Sequence, residues 1–471
     1  MKKVVKMIFV VIVFLSDYSL VFSQAVTWQK WYDYNNYEDN GQDVIQTFDG
    51  GYIILSNNYV PLNNSSVLTK IDQFGNVQWQ KQFNRNNVGG LSLLCYAVTQ
   101  NSDTGYLISG GNRDSAIIIR TDKTGELMWF KKYSRAGFQA GVFRDHKLTN
   151  DGGIIACGRL YDPAVGYVVK TDSIGNILWD SLYNFSSIIF KIIESKDSCL
   201  YMLGFGTNFV KPTYSLTKLT SVGIVIWNRD SDLSTADLIE HTSGNIYVGG
   251  GYDSLILTKL DSSGIIVFQK GYFRGVTGCY SMCLSTDRNI LLAGTLNGKM
   301  AVSKIDPNGN LIFEKSILTI NSPEYSFLPN AVNSTLDSGF IFTGFTDYPP
   351  NFFESNIYAA KTDSLCNAPK IVKIENNNLL IPDKFTLLQN YPNPFNPITT
   401  ISYELRNSDL VELKIYDMKG VEMGIIVNEF QRAGEYRVTF NSQNYDLTSG
   451  IYFYRLKVTN FSVTKRMMLI K

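Results

Sequence analysis

A chain of 471 residues is too long for one ordinary core and suits a large repeat domain followed by a small one. Its 43 basic and 42 acidic residues leave a formal net charge of +1, which excludes a charge-driven partner such as nucleic acid or an acidic membrane. The 37 Gly, 28 Tyr and 28 Phe are what a strand-rich protein with many tight turns needs.

At the start, Lys2, Lys3 and Lys6 precede an apolar run, Met7–Leu15, with small Ser23 further on. This is the layout of a secretory signal peptide, and cleavage is expected before Gln24, so that residues 1–23 are removed. The run is too short to be a stable membrane span.

Residues 24–366 then repeat two motifs in alternation. The first is Lys/Arg-x-Asp-x-x-Gly-x-x-x-aromatic. It opens at Lys70 (Asp72, Gly75, Trp79), Arg120 (Asp122, Gly125, Trp129), Lys170 (Asp172, Gly175, Trp179), Lys218 (Gly223, Trp227), Lys259 (Gly264, Phe268) and Lys304 (Gly309, Phe313). A seventh copy, Lys361-Thr362-Asp363, stops at Cys366. Asp bonding its own backbone and Gly at positive φ make a tight reversal between two alternating apolar strands. The aromatic is expected to pack between neighbouring units. The second motif, Asp49-Gly50-Gly51, Asp151-Gly152-Gly153 and weaker forms, marks another hairpin in each unit. Six of the seven strands after it run into a Gly: Gly110, Gly158, Gly204, Gly249, Gly294 and Gly344. Four strands per unit at a period of about 40–50 residues predict seven propeller blades, placed near 41–85, 90–133, 141–183, 187–229, 235–272, 278–317 and 328–366. The missing aromatic is supplied by Trp28: Val26–Tyr32 matches Val77–Phe83 and is expected to pair near Asn356–Thr362, closing the last blade. Asp33–Asn40 reads as a linker.

Two other kinds of connection vary in length: Arg159–Gly166, Phe205–Thr213 and Thr346–Ser355 within blades, and Ser134–Ala140 and Gly271–Thr277 between them. Strand alternation brings both kinds to one face, where recognition usually resides. Tyr161, Phe205, Phe209, Tyr252, Phe273, Arg274, Tyr348 and Phe352 are therefore candidates for a glycan- or peptide-binding face. The same residues equally serve to pack loops onto the disk. Aligning the inner strands gives a second set near the axial channel: Asp43, Tyr96, Asp145, Lys191, Asp237, Ser281 and Asn330. Three carboxylates there could hold a cation, but they are equally explained as solvated strand ends, and Lys191 stands among them. No metal is assigned.

Six Cys in an exported chain invite a disulfide reading. However, Cys157 and Cys199 fall on inner strands, and Cys279 and Cys283 lie about 13 Å apart along a strand, so buried free thiols are expected. The only His, His146 and His241, fall at different repeat positions, which argues against a two-His metal site. No nucleophile elbow, zinc-protease or phosphate-loop motif occurs, and no cofactor is implied. Acid pairs formed in space between loops stay open to sequence reading.

Residues 367–383 form a polar connector rich in Asn, and 384–471 read as short alternating strands. In this tail, Tyr391-Pro392-Asn393-Pro394-Phe395-Asn396-Pro397, Gly450, Tyr452 and the basic end from Lys465 to Lys471 resemble the type A C-terminal sorting domain of the type IX (Por) secretion system. The tail is also similar to the immunoglobulin-like domain of flagellar hook-capping proteins. The resemblance implies passage through the type IX translocon, removal of the tail by a sortase, and surface attachment or release. The repeats resemble bacterial secreted propellers and, more loosely, quinoprotein-like propellers, whose Trp-docking motif has one more residue between Asp and Gly than Asp72–Gly75. The reading is thus all-β: a seven-bladed β-propeller followed by a small immunoglobulin-like β-sandwich. Its expected role is an exported binding or structural module, with a propeller-fold polysaccharide hydrolase or lyase as the alternative.

Overall fold

The computed structural model describes residues 26–32, 34, 38–60, 64–89, 92–112, 114–208, 211–231, 235–276, 278–297, 299–317, 326–347, 356–369, 385–405, 409–431, 434–445, 447–459 and 461–470. The chain divides into two compact units, 1–371 and 372–471. The signal-peptide expectation, Phe209, Tyr348, Phe352 and Lys471 lie outside the described residues.

In the first unit, four-stranded antiparallel sheets follow one another as seven blades. Blade 3 shows the pattern: Ala140–Leu148, Ile154–Tyr161, Val165–Thr171 and Ile177–Tyr183 run from the axis to the rim. The other inner strands are Glu38–Gln46, Leu94–Gln100, Ile188–Glu194, Thr235–Glu240, Cys279–Leu284 and Ser326–Ser334. Each touches the inner strand of the blade before and after it, and Ser326–Ser334 meets Glu38–Gln46, so the ring closes. The rim strand of blade 7 is Trp28–Tyr32, antiparallel to Asn356–Thr362, with Trp28 opposite Lys361 and Tyr32 opposite Ile357. Blade 1 begins at Glu38, so the expected linker is partly strand. The expected loop Phe205–Thr213 is mostly strand as well, since Asn208 pairs with Lys211.

The repeated residues hold blades together. Six of the seven rim aromatics lie on the turn glycine of the next blade, Phe313 meeting a turn with Cys366 in that place: a Cβ on Gly75 would sit 3.0 Å from Trp28, and those on Gly175 and Gly223 would crowd Trp129 and Trp179. Four residues beyond the aromatic, a tyrosine hydroxyl donates to the same turn: Tyr32 to Gly75 O at 2.9 Å, Tyr133 to Gly175 O at 2.8 Å, Tyr183 to Gly223 O at 2.7 Å and Tyr272 to Gly309 O at 2.9 Å. Within a blade, the motif's Lys or Arg bonds the Asp of the neighbouring turn. Lys70–Asp49, Arg120–Asp103, Lys170–Asp151, Lys218–Asp197, Lys304–Asp287 and Lys361–Asp337 repeat this ion pair. In blade 5, where Ser243 replaces the Asp, Lys259 donates to Pro307 O of the next blade at 3.2 Å.

Every inner strand carries a β-bulge at the same height, between Gly41 and Asp43, Cys95 and Ala97, Phe143 and Asp145, Ile189 and Lys191, Thr235 and Asp237, Cys279 and Ser281, and Pro329 and Ala331. The bulge presses the inner strand onto its neighbour, which accounts for the recurring glycine: a methyl on Gly158 would overlap the Val142 carbonyl oxygen.

The second unit is a small sandwich. Thr386–Leu387, Ile398–Leu405 and Gly434–Asn441 form one sheet; Glu422–Gln431, Asp409–Tyr416, Gly450–Val458 and Phe461–Leu469 form the other. Ile401, Tyr403 and Phe440 of the first share one core with Leu413, Tyr454 and Met467 of the second. The sorting motif latches the final strand. Phe395 is buried, its N–H donates to Met468 O at 3.0 Å and its carbonyl accepts from Ile470 N at 3.0 Å. Asn393 Oδ1 accepts from Met468 N at 2.9 Å. Asn390 Nδ2 donates to Pro392 O at 3.1 Å. Tyr391, Pro392, Pro394 and Asn396 are exposed, Pro397, Gly450 and Lys465 are half-buried, and Tyr452 is buried.

Candidate functional site

The bulge decides which inner-strand residues face one another round the axis. Residues in the same register after it are Asp43, Ala97, Asp145, Lys191, Asp237, Ser281 and Ala331. This corrects the sequence alignment at two places: Tyr96 and Asn330 occupy the extra position of the bulge, one residue earlier. All nine line one axial cavity of about 540 Å³. Its wall continues to Asn150, Glu194 and Ser334, beside the Asp-Gly-Gly turns, so it extends toward that face of the disk.

The acids of this register bond across blade junctions. Asp43 Oδ2 accepts from Val98 N at 3.0 Å, Asp145 Oδ2 from Ile192 N at 3.2 Å, and Asp237 Oδ2 from Met282 N at 3.0 Å and Ser281 Oγ at 3.1 Å. Ser281 Oγ in turn accepts from Val332 N at 3.3 Å. The 2–3 junction uses His146, whose Nδ1 lies 2.7 Å from Ser109 Oγ and whose Nε2 meets Thr99 Oγ1. The 7–1 junction uses Asn330, which donates to Gly41 O at 2.7 Å.

Burial pushes the Asp43 carboxyl up to about 6. Asp145 is buried too, but Lys147 (3.0 Å) and Lys191 outweigh that and hold it below the ordinary carboxylate value. Burial works to lower Lys191, yet Asp237 (3.6 Å), Asp145 and Asp43 keep it above the ordinary lysine value and therefore charged. An ammonium paired with Asp237 and attracted by Asp145 and Asp43 occupies the electrostatic place a cation would take. Among the described residues no cluster of His, Cys, Asp or Glu has the geometry to hold a metal. His241, the other His, bonds Ser243 and Arg288 O, far along the chain from His146. Five of the six cysteines are buried and all are free; Cys199 is half-buried and precedes its strand rather than lying in it.

The opposite face carries the variable connections. Tyr161 ends the second strand of blade 3, paired with Ala140, and lines a cavity of about 430 Å³ with Ser92, Tyr96, Asn112, Gln139 and Asp162. The Arg159 guanidinium lies 4.1 Å from the centroid of the Tyr161 ring and donates to its hydroxyl at 2.8 Å. Arg144 lies 4.0 Å from the centroid of Tyr96. Phe205 packs edge-on against Tyr214, with ring centroids 5.0 Å apart, and Phe273 is half-buried against the blade 5–6 core. Tyr252 is 72% exposed and Arg274 is exposed. Of the sequence candidates on this face, Tyr161 alone lines the blade 2–3 cavity; Phe205, Tyr252, Phe273 and Arg274 belong to blades 4 and 5 and the connection after them. Tyr96 of this cavity was not among the face candidates, because it takes the extra position of the blade 2 bulge; Arg144 takes that position in blade 3, and Arg159 lies in the second strand of blade 3.

Residues 389–471 match the family described as the secretion system C-terminal sorting domain. The tail thus marks the chain as a type IX secretion substrate, directed to the cell surface or the extracellular space and interacting with that machinery. No curated protein matches the chain in sequence. Among solved structures, it is similar to PorZ, a surface component of the type IX secretion system of Porphyromonas gingivalis, at 12% identity and a TM-score of 0.43 over 90% of this chain and 58% of that one. It is similar to the Dos1 propeller at 10% identity and a TM-score of 0.47, over 73% and 97% of the two chains. A protein of unknown function from Dyadobacter fermentans matches at 10% identity and a TM-score of 0.43, over 71% and 98%. These likenesses are too remote to carry an argument, and the seven-bladed ring rests on the strand pairing. Among the described residues no helix is long and apolar enough to cross a membrane.

Proposed function

We propose that this exported propeller is a binding module, with recognition on the face of variable connections. One observation carries the reading: Asp43, Asp145 and Asp237 on the axis each accept a hydrogen bond from the next blade, while an aromatic-lined cavity opens among the variable connections. A polysaccharide hydrolase needs two carboxylates free to move a proton, and the axial acids serve the ring instead. Glycans and peptides are the ligand classes that suit exposed tyrosines with polar neighbours. Removal of residues 384–471 by a sortase, followed by attachment or release, completes the proposal as the sorting-domain resemblance implies it.

The test is a glycan and peptide array probed with the full chain and with Tyr161→Ala. Binding that the variant loses supports the face; binding that Tyr161→Ala leaves unchanged moves recognition elsewhere, and a blank array refutes the module.

A further inference from the structure

The two faces of the propeller differ in what they expose. Among the described residues of the first unit, the exposed large apolar side chains other than Trp31, Phe185 and Tyr252 all lie in, or a few residues from, the short turns that join the first strand of a blade to the second and the third to the fourth. They are therefore gathered on the face opposite the variable connections. The rim strands Ile177–Tyr183, Val225–Ser231, Ile266–Tyr272 and Leu311–Ile317 each begin with two of them. A second β-bulge is the cause. Trp179 pairs with Lys170 and Ile177 with Thr171, which leaves Leu178 as an extra residue; Ile226, Val267 and Ile312 take that position in blades 4, 5 and 6. A bulge re-aims the side chains beside it, and these four are 58%, 49%, 56% and 48% exposed. The same position is Gln78 in blade 1, and in blade 7 Val26 and Thr27, just before the rim strand, are half-buried.

An apolar belt thus crosses four neighbouring blades. Its centre is blade 4, where Thr220 replaces the turn Asp, so Val222 and Ile224 flank Gly223 with no carboxylate in that turn. In the other three, Asp172, Asp261 and Asp306 each accept backbone N–H groups of their own turn. With the turn residues Ile174, Val222, Ile224 and Ile265 included, the belt opens about 1,000 Å² of apolar surface, past the few hundred a monomer shows and near the ~800 Å² that a stable complex covers on each partner. A surface with an aliphatic centre offers little charge to complement. What it demands is apolar groups at the spacing of the blades, and a second copy supplies them. The four blades carry the same pair at the same height, so the belt read from blade 3 to blade 6 matches itself read from blade 6 to blade 3. That self-match is the condition for a two-fold contact.

We propose that two copies of this chain associate through the belt, turn face to turn face, with blade 3 of one copy on blade 6 of the other and blade 4 on blade 5. Such a pair leaves the variable connections of both copies facing outward. The contact is independent of what those connections bind.

Sedimentation velocity of the full chain at micromolar concentration is the test, and the natural chain should run as a dimer. Ile226→Lys and Val267→Lys each place an unpaired ammonium in the contact twice, once per copy, and should weaken the dimer at least about a hundredfold. Gln78→Lys, at the corresponding bulge of blade 1, should leave it unchanged. All three sites are at the surface, and far-UV circular dichroism matching the natural chain shows the blades folded. Should Ile226→Lys not fold, Val267→Lys on the next blade gives the same readout. A monomeric natural chain overturns the proposal. So does a dimer that both belt variants leave intact, or that Gln78→Lys weakens as much as they do. Flotation of a monomeric chain with phosphatidylcholine vesicles, lost in Ile226→Lys and Val267→Lys, would assign the belt to a membrane and overturn the second copy.

Discussion

Replacing His146 by Gln is expected to change how the propeller's stability depends on pH more than it changes stability at pH 7. His146 is 1% exposed and lies between Ser109 and Thr99 at the junction of blades 2 and 3. Burial, with Lys147 adding to it and Asp145 opposing, depresses its imidazole to about 3. An unfolded histidine titrates near 6.5. Between those values the unfolded chain binds one more proton than the folded one, so stability falls as pH falls, by about 1.4 kcal/mol per pH unit. From pH 6.5, where the unfolded imidazole is half protonated, to 4.5 this amounts to about 2.3 kcal/mol. Asp43 has the opposite sign. Its folded value of about 6 lies above the unfolded one, so protonation favours the folded state as pH falls through 6, adding about 2 kcal/mol by pH 4.5. The two nearly offset in the natural chain, and only the difference between variants isolates the histidine. All six Trp precede residue 367, so Trp-monitored urea unfolding reports on the propeller alone. Against the natural chain, His146→Gln should gain about 2–3 kcal/mol between pH 6.5 and 4.5. Parallel stability curves across that range would refute a buried neutral imidazole at this junction.

Three further outcomes follow from the repeat and the tail. Asp151→Ala strips the 2.9 Å partner from Lys170 and should cost about 2 kcal/mol, discounted because Asp151 is exposed, while Lys170→Met with Asp151→Ala costs less than Asp151→Ala alone; urea denaturation of the three variants checks this. Gly158→Ala forces a methyl against the Val142 carbonyl and should cost roughly 3 kcal/mol in the same assay, whereas Gly152→Ala, with open space but positive φ, should cost about 1. Phe395→Ala removes a buried ring and the packing that seats the final strand, so the sandwich should lose about 3–5 kcal/mol, seen as lost exchange protection in Phe461–Leu469; unchanged protection contradicts the latch.

The blades were legible because their period is carried by residues whose chemistry is local: Asp and Gly at a turn, an aromatic four residues after the Gly. The second contact of four junctions had a signal that went unread, the Tyr four residues after the aromatic at 32, 133, 183 and 272. The role of the recurring Gly at 158 and 344 was not legible, since it answers a carbonyl on a different strand. The axial register slipped at Tyr96 and Asn330 because a bulge adds one residue without any change in apolar alternation. The same kind of bulge sets Arg144 against the Tyr96 ring, a contact between blades that no local pattern announces. Phe205 was read as loop because it opens a connection that varies between repeats, yet the hairpin simply extends to Asn208 and Lys211.

Both faces of the disk exist as described only if the first strand closes the ring. Amide hydrogen exchange of the full chain tests this directly at Trp28–Tyr32. Protection there comparable to that of Asn356–Thr362, lost together with it in denaturant, is the predicted result. Exchange of residues 28–32 within seconds, while Asn356–Thr362 stays protected, would contradict a closed seven-bladed ring.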